Sequence, residues 1–238
     1  MPSRPTVLFL PGLLCDAALW AHQVEHLRDL VTPVVADLTR DDSIAAMARR
    51  AADAAPGPFT VVALSMGGYV AFELLRTVAD RIAGVALLDT SASPDTPEKA
   101  AERRAGIASL AAGRFAGVTA RLLPQLVHPV HIDGPVGAQV RAMAQRVGGE
   151  AYVRQQQAIL GRPDSRPLLP RIGAPTLVVV GAQDVLTPPS EARLMHEGIP
   201  GATLHIVPDC GHLPPLEKPD ETTALLRDWL AQAVLPTA

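Results

Sequence analysis

Aromatic side chains make up only 3% of this 238-residue chain, so any core it builds must be mostly aliphatic. Cysteine is scarce too. Cys15 and Cys210 are the only two, too few for a disulfide framework or a cysteine-ligated zinc site. No uninterrupted apolar run approaches the ~18 residues that a membrane span requires. The N-terminus, Met-Pro-Ser-Arg-Pro, leads straight into an apolar strand-like segment, without the apolar stretch and cleavage site of a secretory signal. These absences predict a cytoplasmic protein with reduced thiols and no membrane partner. Basic excess is missing as well. The net charge is −3 and the pI about 6.1, which argues against a nucleic-acid partner. What remains is a chain 48% hydrophobic and 19% charged, long enough for one large domain with a sizeable core.

Apolar, β-branched runs alternate with amphipathic stretches, the pattern of a parallel sheet covered by helices on both faces. Strands are predicted at 6–10, 34–38, 59–64, 85–89, 176–180 and 203–207, and helices at 18–30, 43–54, 67–79, 190–197 and 220–233. Ser43 and Asp220 are the expected N-caps. From 93 to 167 the strand-like runs stop. Helical stretches are predicted there at 98–112, 115–123, 137–148 and 149–160, with Pro-rich punctuation at both ends.

Chemistry concentrates in three places. Ala63-Leu-Ser65-Met-Gly67-Gly closes an apolar run and opens a helical one. A strand that ends in serine and turns at once into a helix is a nucleophile elbow. The turn needs small residues two before and two after the serine, and Ala63 and Gly67 supply them. The second place is the loop carrying Asp184, just past the run 176–180. The third is the loop carrying His212, just past 203–207. Loops at that edge of an open α/β sheet are where ligands bind. Near the N-terminus, Leu10-Pro-Gly12-Leu13-Leu14 is a strand running into a glycine turn.

The order Ser, Asp, His, each at a strand end, resembles the α/β-hydrolase family over nearly the whole chain, in particular its small bacterial esterases and enol-lactonases. The resemblance implies an α/β fold with a truncated, mostly parallel sheet of about six strands, since no segment before Thr6 could supply the family's two leading strands. The strand at 34–38 should then lie at an edge. It also implies a hydrolase core formed by 1–92 and 168–238, with 93–167 inserted as a helical cap. Ser65 becomes the nucleophile, His212 the base and Asp184 its orienting acid, with the amides of Leu13 and Met66 as the oxyanion hole. Gly12, Leu14 and Trp20 are expected to line the substrate pocket. No metal or organic cofactor is implied.

Asp89, which closes the strand after the nucleophile helix, competes with Asp184 for the acid position. Glu217 is expected to tie down the histidine loop. The His22/His26 and His128/His131 pairs carry no metal signature. The cap holds ten Lys and Arg against six Asp and Glu, leaving −7 for the rest of the chain. Arg121, Arg141, Arg146 and Arg154 are the candidates to meet an anionic substrate. Hydrolysis of small carboxylic esters through an acyl-enzyme is the favoured expectation. A lactonase or carbon–carbon hydrolase acting on a carboxylated substrate, or a slow-turnover ligand-binding member of the fold, are the alternatives. A homodimer is compatible with each of them.

Overall fold

The computed structural model describes residues 4–111 and 122–234. In chain order the elements are β1 (Thr6–Leu10), α1 (Ala21–Leu27), β2 (Thr32–Val35), α2 (Ile44–Ala54), β3 (Phe59–Leu64), α3 (Met66–Thr77) and β4 (Ile82–Leu88). Then come α4 (Pro97–Ala111), α5 (Leu123–Leu126), α6 (Pro135–Leu160), β5 (Thr176–Gly181), α7 (Pro189–Gly198), β6 (Thr203–Val207), α8 (Pro214–Glu217) and α9 (Pro219–Trp229). The six strands form one parallel sheet in the order β2-β1-β3-β4-β5-β6. Every residue of β3 and β5 is buried, as continuous apolar runs dictate when both faces of a parallel sheet are covered. Strand alternation divides the core in two. Leu8 and Leu10 pack with residues of α2, α3 and α7 on one face, and Val7 and Phe9 with residues of α1 and α9 on the other.

Several boundaries differ from the sequence expectation for local reasons. The edge strand β2 lies at 32–35 rather than 34–38 because Asp37 accepts the Thr39 N–H and hydroxyl, an Asx turn that ends it. The helix expected over 18–30 is a 3₁₀ turn, Ala17–Trp20, followed by α1. Asp16 caps the turn by accepting the Ala18 N–H. Ser43 caps α2 through the Ala46 N–H. Asp220 is not a cap: Pro219 takes the first helical position, Lys218 is the cap residue and Asp220 lies in the first turn. The stretches predicted at 137–148 and 149–160 join into the single rod α6, kinked where Gly148 adopts φ 77°. Most of the helix predicted at 115–123 lies outside the described residues. Among them, no helix is long and apolar enough to cross a membrane.

Candidate active site

The site begins at the junction of β3 and α3. Ser65 has φ 55° and ψ −115°, a conformation that costs a non-glycine residue energy and persists only where its surroundings enforce it. Here they do. The Ser65 N–H donates to Leu88 O at 3.0 Å, and Thr90 Oγ1 donates to Ser65 O at 2.8 Å. The helix following the serine comes so close to β1 that a Cβ on Gly67 would stand 2.2 Å from Leu10 O. Gly12 abuts the other side, where a Cβ would lie 3.4 Å from that of Ser65.

His212 Nε2 lies 2.8 Å from Ser65 Oγ, and His212 Nδ1 lies 2.8 Å from Asp184 Oδ2. Asp184 is 3% exposed and takes three further donors: Thr187 Oγ1 at 2.7 Å, Leu186 N at 2.8 Å and Thr187 N at 3.2 Å. Burial alone would raise its carboxyl pKa, but the attraction and hydrogen bond of His212, with the other donors, hold it below the ordinary carboxylate range. An ionised Asp184 fixes the tautomer. Nδ1 must carry the hydrogen and donate, so Nε2 is left to accept from the serine hydroxyl. The histidine loop is itself tethered. Glu217 accepts the N–H groups of Gly211, Leu213 and His128, and the His212 N–H donates to Leu126 O.

Two residues of the same cavity, Met66 and Leu13, have backbone amides outside the usual ladders. Met66 occupies the first position of α3, where no intrahelical carbonyl is available. The Leu14 N–H is taken by Gln155 Oε1 at 3.1 Å and the Cys15 N–H by Gly12 O at 3.2 Å. Just before them, the Leu13 amide has no carbonyl partner among the described residues. Gln155 also donates to Leu38 O, so this one buried side chain of α6 clamps the loop that carries Leu13. Asp89, Asp184 and His212 offer three metal-type donors within 4.8 Å of one another, but Asp184 Oδ2 and both ring nitrogens of His212 are already hydrogen-bonded.

Ser65, His212, Leu13 and Met66 open onto a cavity of about 430 Å³, which Gly12 and Leu14 also line. Trp20 does not: it is buried behind the site against Phe9, with ring centroids 5.3 Å apart. Cys15 borders the cavity, and burial pushes its thiol pKa up to about 12; Cys210 is buried and also unpaired. Of the arginines singled out by charge count, the three described ones do not line the cavity. Arg146 pairs with Asp16 at 2.6 Å, Arg154 donates to Thr39 O, and Arg141 is not part of the lining. Arg121 lies outside the described residues. The cavity's cations are instead Lys99, Arg103 and Arg162, matched by Asp95, Glu102 and Glu191. Asp95 accepts from both guanidinium groups, at 2.7 Å from Arg103 and 2.8 Å from Arg162.

Sequence reasoning gave no hint of Gln155, Thr187 or the Asp95 cluster. Gln155 sits in a run of three glutamines, and nothing in the pattern distinguishes it.

A family model described as "Alpha/beta hydrolase family" matches residues 7–225. The chain belongs to the alpha/beta hydrolase family. A solved esterase from Thermogutta terrifontis, with malate bound, is 31% identical, with a TM-score of 0.89 over 98% of this chain and 92% of that one. The enol-lactonase from Burkholderia xenovorans LB400 is 26% identical, with a TM-score of 0.81 over 97% and 92%. Among curated proteins, a pimeloyl-acyl-carrier-protein methyl ester esterase of Neisseria meningitidis serogroup B is 28% identical over 208 residues. The match spans 82% of this chain and 78% of that protein. This alpha/beta hydrolase is thus an esterase-type enzyme with the family's parallel sheet and strand-end loops.

Proposed function

We propose that the chain is a serine hydrolase of small carboxylic esters, working through an acyl-enzyme at Ser65. The observation that carries this reading is the unbroken chain of 2.8 Å contacts from Ser65 Oγ through His212 to Asp184, opening onto a cavity. His212 Nε2 takes the hydroxyl proton as Oγ attacks the ester carbonyl. The same proton then passes to the departing alkoxide, leaving the acyl group on Ser65. Water, deprotonated by His212, hydrolyses that ester in the second half. Asp184 holds the imidazole and stabilises the imidazolium. The amides of Leu13 and Met66 receive the tetrahedral oxyanion, a contribution of about 2.7–4 kcal/mol per donor in comparable sites.

Residues 93–167 act as the cap: Gln155 and Leu126 reach from it to the Leu13 and His212 loops, and its side chains close the cavity. The cavity volume falls in the range of small-molecule sites. Its three cations are balanced by three anions, and Asp95 already engages two of the cations. This favours a neutral ester over the carboxylated lactone that the arginine count had suggested.

Hydrolysis of p-nitrophenyl acetate and butyrate by wild type and Ser65→Ala, followed by a lactone panel, tests the reading. Loss of the nucleophile should lower kcat by on the order of 10⁴–10⁶-fold. Retained turnover in Ser65→Ala rules out Ser65. A folded wild type active only on lactones would move the substrate class.

A further inference from the structure

Asp89 takes no part in the contacts that link Ser65, His212 and Asp184, yet it stands beside them. One of its carboxyl oxygens, one of Asp184 and a ring nitrogen of His212 all lie within 4.8 Å of one another. Asp89 follows the last residue of β4 and is 1% exposed, with φ 43°. Its N–H donates to Val179 O, and its Oδ1 accepts the Gly181 N–H at 2.9 Å. Its Oδ2 is buried and meets no partner among the described residues.

Two carboxyl groups this close, both out of water, do not both ionise. The donors around them decide which one keeps the proton. Asp184 receives the imidazole, a hydroxyl and two amides, whereas Asp89 receives one amide. The charge therefore settles on Asp184 and the proton on Asp89. The other titratable groups facing Asp89 work in the same direction. Burial and then the Asp184 charge raise the Asp89 pKa well above the ordinary range, and Glu217 on α8 adds to this. Cys210, in the histidine loop, is itself pushed up and neutral. The His212 ring also faces this pair, and its Nδ1 hydrogen bond goes to Asp184 rather than to Asp89.

We propose that Asp89 is a positioning residue: as a neutral carboxylic acid it donates its Oδ2 proton to Asp184 and fixes the carboxylate that orients His212. The proton gives the otherwise unpartnered oxygen its bond. This inference rests on the triad reading above.

Asparagine is the isostere that discriminates. Its carboxamide oxygen can accept from Gly181 N, its NH₂ can donate to Asp184, and it tolerates positive φ better than most residues. The experiment is a set of kcat/KM–pH profiles for wild type, Asp89→Asn, Asp89→Ala and Asp184→Asn, with infrared difference spectra of the first two. Asp89→Asn should keep kcat/KM within about threefold and leave the acid limb in place. Asp89→Ala should lose about ten- to a hundredfold, the range of a hydrogen bond to a charged group, and displace that limb. Wild type at pH 8 should show a neutral-carboxyl stretch that vanishes in Asp89→Asn. If Asp89→Asn falls as far as Asp184→Asn, or the neutral-carboxyl band is absent, Asp89 works as an anion and the proposal is overturned. A wild-type profile in Asp89→Ala also overturns it. Should Asp89→Ala not fold, the Asn variant and the infrared band still decide. Ser65→Ala reports on the triad reading alone, so failure of that reading is distinguishable from failure of this one.

Discussion

Replacing Gly67 by alanine should damage catalysis far more than stability. The added Cβ would stand 2.2 Å from Leu10 O and 2.7 Å from Leu10 C, both backbone atoms that no rotamer change can remove. Contacts under 3.0 Å are essentially never tolerated by a Cβ, so α3 or β1 must retreat by at least about 0.8 Å. The helix begins at Met66, the residue after Ser65, so the retreat displaces both Ser65 Oγ from His212 Nε2 and the Met66 amide from the oxyanion position. A misplacement of about 1 Å costs on the order of 10²-fold in rate. Stability changes less. Overpacking costs about 1–3 kcal/mol, and alanine recovers up to about 0.8–1.0 kcal/mol of helix propensity. The net is a fall in Tm of no more than several degrees for a domain of this size. The assay pairs kcat on p-nitrophenyl butyrate with thermal unfolding followed by circular dichroism. Gly173→Ala serves as control, because nothing lies within 4 Å of its added Cβ. A Gly67→Ala variant with wild-type kcat would refute the argument that the close approach of β1 and α3 sets the serine's position.

Two other substitutions follow from single contacts. Gln155→Leu leaves the Leu14 N–H and the Leu38 carbonyl without their partner, at about 1–3 kcal/mol for each group that stays dry. Because the same side chain clamps the Leu13 loop, urea midpoint and kcat should both fall; an unchanged kcat would detach that loop from catalysis. Asp95→Asn leaves Arg103 and Arg162 without their shared anion, and breaking a buried pair of this kind costs about 3–5 kcal/mol, or about 6–20 °C in Tm. Burial would raise the Asp95 pKa, but hydrogen bonds from Arg162 and Arg103 hold it below the ordinary carboxylate value of 3.8. A depressed folded-state pKa gives stability that is present above pH 3.8 and lost as pH falls through the lower value. Tm measured against pH should therefore show wild type and Asp95→Asn converging in acid; a gap that widens there would contradict the assignment.

The parts of the site visible in the sequence were those in which the backbone itself does the work. An elbow needs small residues around its serine, so Ala63 to Gly68 announced it, and apolar runs ending at Asp184 and His212 put both residues at the ligand-binding edge. The choice between Asp184 and Asp89 was a different matter. Both close neighbouring strands of one parallel sheet, and both arrive within 4.8 Å of His212. What separates them is the number of donors each meets, a property of loop geometry that chain order does not encode. Arg146 and Arg154 failed as candidates for a related reason. Gly148 breaks the helical phase inside α6, so the face presented before the kink cannot be carried past it by 3.6-residue counting. Arg146 and Arg154, on opposite sides of the kink, turn to Asp16 and Thr39, while Gln155 points to the Leu13 loop. Charge composition therefore identified a basic segment without saying where its charges point. The cations that do reach the cavity, Lys99, Arg103 and Arg162, come from α4 and from just beyond α6, and the two arginines are joined there by Asp95, which lies just before α4. A single carboxylate accepting from both Arg103 and Arg162 ties α4 to the end of α6, so the cavity's shape is set more by this ion pair than by the net charge of the 93–167 segment.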